Sequence, residues 1–139
     1  MTSAYAAIMA ALFSTAFALA TDMHVAALVT AVACCVGAVL LVPVVATTQR
    51  NATIVRSETI KRVHRYAAAA AFVAVGVAMA VSACAAITEA NVPVVIFGFF
   101  GAALVIRVLR SKPGAAHGLR QKILLATLGL WIVVIAIAG

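Results

Sequence analysis

Residues 56–88 read RSETIKRVHR followed by YAAAAAFVAVGVAMAVSACAAIT, and the change of character at Tyr66 decides the fold. The ten residues before it carry Arg56, Glu58, Lys61, Arg62 and Arg65; the stretch from Tyr66 to Thr88 carries no ionised side chain. An α-helix rises about 1.5 Å per residue and the hydrocarbon of a bilayer is about 30 Å thick, so roughly 20 apolar residues make one crossing. The stretch is long enough, and its cationic border marks one edge of the membrane. Ile60, Val63 and Ala67 recur at helical spacing, so the helix is predicted to begin beyond that edge, with Ser57 as its cap.

Working outward, four more uncharged blocks appear: Met1 to Thr21, Met23 to Gln49, Ala90 to Ile106 and Ile123 to Gly139. The chain is 67% hydrophobic and 9% charged, whereas soluble domains are about half apolar and a quarter charged. These features predict an all-α, polytopic transmembrane helical bundle with spans at about 3–20, 24–46, 66–88, 92–109 and 120–139, forming a single membrane domain. Basic loops are expected at 47–65 and 110–119. The fourth and fifth spans reach full length if Arg107 and Lys122 run their alkyl stems along the hydrocarbon. The first block has a rival reading, because Phe17-Ala18-Leu19-Ala20 passes as a cleavage site for a signal peptide. The basic n-region of a signal is absent from Met1 to Tyr5, so the block is expected to be retained; cleavage would leave four spans.

All ten Lys and Arg residues fall in two stretches: Arg50, Arg56, Lys61, Arg62 and Arg65, then Arg107, Arg110, Lys112, Arg120 and Lys122. The connections around Asp22 and Glu89 carry acidic residues alone. Basic and acidic connections therefore alternate, as five crossings require, and the positive-inside rule places the N-terminus inside and the C-terminus outside. The expected membrane is a bacterial or organellar inner membrane. In a soluble protein a net charge of +7 would suggest nucleic acid. Here the charge lies beside the spans, where it sets topology and meets lipid headgroups, and no nucleic-acid partner is expected. Asn51-Ala52-Thr53 matches a glycosylation acceptor but falls in an inner loop and is expected to stay unmodified.

Several residues punctuate the helices. Lys112-Pro113-Gly114 signals a turn between the last two spans, Pro93 sits where a helix start tolerates it, and Pro43 lies inside the second span and should bend or loosen it. Thr21-Asp22-Met23-His24-Val25 and Thr88-Glu89-Ala90-Asn91-Val92 resemble each other faintly, as in a parallel repeat. Small residues mark contact faces, because close backbone approach drives helix association in lipid. Ala69, Val73, Gly76, Ala80 and Cys84 form such a stripe on the third span, and Gly98, Gly101 and Ala102 on the fourth.

The span interiors hold no Asp, Glu, Lys or Arg, which argues against proton-coupled transport by this chain alone. Hydroxyls such as Thr30, Ser82 and Thr127 remain able to line a pore. His64 and His117 share a depth near the inner surface; their simpler reading is as interfacial polar side chains, and the sharper one, which ranks below it, pairs them as axial haem ligands or a quinone site. No resident cofactor or metal is otherwise expected. Cys34, Cys35 and Cys84 read as small buried hydrophobes, and Trp131 as a packing or partner-facing anchor. No catalytic motif is evident. The leading expectation is a non-enzymatic subunit that serves as an accessory, assembly or scaffold component of a larger membrane complex, with lipids and other membrane subunits as partners. A homo-oligomeric small channel or transporter comes second, and a haem- or quinone-binding anchor of an electron-transfer complex third.

Overall fold

The computed structural model describes residues 2–20, 24–49, 58–111 and 115–138. They form five helices: α1 (Thr2–Ala20), α2 (Val25–Gln49), α3 (Glu58–Thr88), α4 (Val92–Arg110) and α5 (Ala115–Ala138). Between their ends helices satisfy the backbone N–H and C=O groups internally, which is what a chain without water around it must do. Four of them, α2 to α5, contain stretches long and apolar enough to cross a membrane; in α1 the apolar stretch is the shorter Tyr5–Ala18. The expected helical bundle is the observed architecture.

Each helix packs against its neighbour in sequence, and α5 returns to touch α1. Large and small apolar side chains together fill the space so enclosed. Leu12, Cys34, Ala38, Met79 and Trp131 are fully buried in one cluster drawn from α1, α2, α3 and α5. A second cluster, Phe72, Val105, Val108 and Leu124, joins α3, α4 and α5 nearer the basic end. The outward faces remain apolar, as Val32, Val39, Phe100 and Ile106 illustrate by their exposure. That inversion of the soluble pattern is what a lipid solvent requires.

At 31 residues α3 is about 46 Å long, well beyond the hydrocarbon thickness. Its N-terminal turns, Glu58 to Arg65, occupy the region where the sequence suggested a loop, and the spacing of Ile60, Val63 and Ala67 is the reason they stay helical. Ser57, proposed as the cap, lies outside the described residues, as do the Asn51 sequon, Asp22 and the Lys112-Pro113-Gly114 turn. The helix α2 continues through Pro43 without a break.

The α3–α4 connection is a tight reversal at Glu89 and Ala90. The Asn91 N–H donates to the Ala86 carbonyl at 3.0 Å and the Ala90 N–H to the Ile87 carbonyl at 3.3 Å, the paired bonds of a Schellman stop. That stop needs a left-handed residue, and Ala90 fills the position at φ 55°. Asn91 then opens α4: its Oδ1 accepts from the Val94 N–H at 3.4 Å, with Pro93 in the first turn as expected.

The small-residue stripe assigned to α3 needs correction. Of its members Gly76 is buried, but Val73 is half-exposed at 50% and Cys84 faces outward. The helix is wedged between α2 and α4 and therefore buries two faces: Ala71 and Val75 lie against Gly37 of α2, while Phe72, Gly76, Met79 and Ala83 face α4 and α5. A single stripe drawn at steps of three and four runs between the two faces and out to lipid. Of the three cysteines, all expected to be buried, only Cys34 is; Cys35 is half-buried and Cys84 exposed.

Candidate functional site

Glycines on α3 and α4 set a close contact between these two helices. A methyl placed on Gly98 would stand 2.6 Å from the Met79 carbonyl oxygen and 2.7 Å from Ala83 Cβ. Only a residue without Cβ permits that approach, which brings α4 onto the backbone of α3. One turn on, the Met79 thioether lies across Gly101, occupying the space a methyl would need, and Thr127 of α5 closes the other side. Gly76 lies against Val105, with 3.2 Å from its would-be Cβ to the valine. Three of the packing residues read from sequence, Gly76, Gly98 and Gly101, thus meet along one seam; Ala80 and Ala102 are half-buried.

The seam is pinned to α5 by a polar contact. Trp131, fully buried, donates from Nε1 to Ser82 Oγ at 3.1 Å, and the Ser82 hydroxyl donates to the Met79 carbonyl at 3.0 Å. Trp131 is accordingly a packing anchor within the chain. Its partner escaped the sequence reading, although a tryptophan in mid-span must find an acceptor for its N–H, and a serine at matching depth on another helix was the available signal. The buried threonines bond within their own helices: Thr30 Oγ1 donates to the Ala26 carbonyl at 2.8 Å, Thr127 Oγ1 to Ile123 at 2.9 Å and Thr15 Oγ1 to Ala11 at 2.9 Å. Among the described residues no buried side-chain polar atom is left without a bond. The hydroxyls singled out as pore-lining candidates are therefore satisfied inside packed contacts.

His64 sits half-buried near the start of α3, and His117 belongs to the first turn of α5, its side chain outside the described residues. Gly101 of α4 lies between Met79 of α3 and Thr127 of α5, and α3 and α5 run in the same sense, so His117 stands level with about residue 69 of α3. That is more than one helical turn from the level of His64, roughly 7 Å along the bundle. His24 is exposed at the other end of the bundle.

The cations gather at one end, as the alternation of helix directions dictates. Lys61, Arg62, Arg65, Arg107, Arg110 and Lys122 are exposed there, with Arg120 half-buried; Arg50, Arg56 and Lys112 lie outside the described residues. Lys61 Nζ donates to Glu58 Oε1 at 2.7 Å, and that hydrogen bond, with the charge of Lys61 and then of Arg65, holds the Glu58 carboxyl below the usual carboxylate range. Glu89 marks the opposite end. On the flank between α2 and α3 runs an open apolar groove of about 400 Å³, lined chiefly by Leu28, Val29, Val32, Val36 and Val77.

This fold defines a multi-pass helical membrane protein. No family model, curated protein or solved structure matches the chain.

Proposed function

We propose that this chain is a non-enzymatic membrane subunit that packs against other membrane proteins as an accessory, assembly or scaffold component of a larger complex. The observation that carries the reading is where the specific structure lies. Leu12, Met79 and Trp131 fill the middle of the bundle; the Ser82 hydroxyl ties α3 to Trp131 of α5, and the Thr30 and Thr127 hydroxyls are bonded within their own helices. The outward apolar faces are what the chain offers to partners. In lipid such faces associate through packing and not through apolar burial, so a preshaped bundle is suited to lateral docking. The basic end is assigned to the inside of a bacterial or organellar inner membrane, with the N-terminus inside and the C-terminus outside.

Native mass spectrometry of complexes released gently from the membranes that make this chain tests the proposal. Association with several different membrane chains is the expected result. A homogeneous monomer would overturn it, and copies of this chain alone would favour the homo-oligomeric channel instead. A haem anchor would announce itself by a Soret band in the same preparation.

A further inference from the structure

The contacts between helices fix which residues stand level with one another. Gly37 of α2 lies against Val75 and Ala71 of α3, Gly76 of α3 against Val105 of α4, and Gly101 of α4 between Met79 of α3 and Thr127 of α5. Counting from these pairs, Arg107 and Lys122 both stand level with Ala74 and Gly37, while Arg110 and Arg120 stand within about one turn of them. On α3 the first charge toward the basic end is Arg65, nine residues beyond Ala74; on α2 the chain stays uncharged from Gly37 through Ala46 and up to Gln49. The apolar belt of α4 and α5 therefore ends about 13 Å short of that of α2 and α3.

That step has a consequence for the lipid beside it. A hydrocarbon layer about 30 Å thick, measured from the level of Thr88, reaches to about the level of residue 68 on α3, so the four cations lie several ångströms inside its edge. Among the described residues no carboxylate lies there: Glu89 belongs to the other end, and Glu58 lies far out on α3, bonded to Lys61. Helix geometry separates the four. Side chains lean toward the N-terminus of their helix, which on α5 aims Arg120 and Lys122 at the near surface and on α4 aims Arg107 and Arg110 toward the membrane centre. The carbonyls at the C-terminus of α4 offset part of the charge, but Arg107 has the longest way to water.

We propose that the α4–α5 end holds anionic phospholipid, its phosphate drawn below the surrounding headgroups to Arg107, with Arg110 one turn away on α4 and the charges of Arg120 and Lys122 on α5 adding to the positive field there. The inference rests on the membrane-spanning reading and is independent of which face is inside. Thinning of the leaflet at this end brings the headgroups down to the charges, and a net negative lipid neutralises what a zwitterionic one leaves unbalanced. A lipid phosphate is the source, because its acyl chains hold it at a depth where free phosphate has no stable place.

The test is native mass spectrometry of the full chain in mild detergent, titrated with dioleoyl phosphatidylglycerol or dioleoyl phosphatidylcholine. Preferential retention of phosphatidylglycerol is expected, unaffected by excess inorganic phosphate. Arg107→Gln should reduce the preference about fivefold, the worth of one basic side chain at an anionic surface, Lys122→Gln by less, and Arg62→Gln on the protruding part of α3 not at all. Arg107→Lys, which keeps the charge, should retain most of it and so separates binding from folding. Equal retention of the two lipids, or equal losses in Arg107→Gln and Arg62→Gln, would overturn the proposal, as would a photo-crosslinker at position 107 that captures an acidic protein helix in place of lipid. Extraction of the chain by alkaline carbonate would overturn the membrane reading and the lipid site together; lost preference in a carbonate-resistant chain overturns the lipid site alone.

Discussion

Replacing Gly98 by alanine isolates the contact on which the α3–α4 seam depends. Two effects oppose each other. Alanine favours the helix over glycine by about 1 kcal/mol. Against that, the new Cβ would lie 2.6 Å from the Met79 carbonyl oxygen and 2.7 Å from Ala83 Cβ, where ordinary contacts are about 3.5 Å or longer. The obstructing groups are a carbonyl and a side chain that ends at its Cβ, so neither swings aside and the helices must part by nearly an ångström. Such overpacking costs about 3 kcal/mol at the upper end of its range, leaving a net loss of about 2 kcal/mol. Gly129 on α5 is the internal control, because nothing lies within 4 Å of its would-be Cβ. Gly129→Ala should stabilise by up to about 1 kcal/mol, and the difference between the two variants, in which helix propensity cancels, is the overpacking alone, about 3 kcal/mol. Reversible unfolding in mixed micelles, followed by the fluorescence of the single tryptophan, buried Trp131, measures both. Gly101→Ala should fall between them, since the flexible Met79 thioether can move. Variants at 98 and 129 that unfold within about 0.5 kcal/mol of each other would refute the reasoning.

Three further outcomes follow from other parts of the fold. Ala90→Gly should stabilise the α3–α4 reversal by about 0.5–1 kcal/mol, because relief of the left-handed alanine, worth about 1–2 kcal/mol, exceeds the added freedom of glycine in the unfolded chain; the same unfolding assay reads it. Ser82→Ala should cost about 1–3 kcal/mol by leaving the Trp131 N–H without its acceptor, and should shift the Trp131 emission, whereas an unchanged spectrum would mean that the bond does not form. At Glu58 the folded value lies below the unfolded one, so the bridge to Lys61 contributes above the unfolded pKa of about 4.3 and is lost as pH falls through the folded value. Amide exchange at the start of α3 should accelerate in that acid range, and Glu58→Gln should remove the pH dependence.

The membrane architecture was legible because it depends on where charges are missing, a property of long blocks that no single contact can override. Helix limits followed from the same blocks, down to the extension of α3 signalled by Ile60 and Val63. Gly98 and Gly101 were readable as contact residues because a glycine pair in a lipid-embedded helix has few other uses. The stripe on α3 misled for a physical reason: a helix with neighbours on two sides buries two faces, and small size alone does not say which way Val73 or Cys84 points. The Ser82–Trp131 bond joins residues 49 apart and depends on how deeply α3 and α5 overlap, a register that no local pattern records. The depth of Arg107 was hidden likewise. Its place in sequence says that α4 ends nearby, and only the contact of Val105 with Gly76 shows how far α3 continues beyond it.

The central claim is that the chain crosses a bilayer with both cationic connections on one face. Single cysteines at Glu58, Ser111 and Glu89, in a chain whose Cys34, Cys35 and Cys84 are replaced by alanine, can be probed in sealed vesicles with a membrane-impermeant maleimide. Glu58→Cys and Ser111→Cys should react together, from one side, and Glu89→Cys only from the other. Labelling that puts positions 58 and 111 on opposite faces would contradict the account.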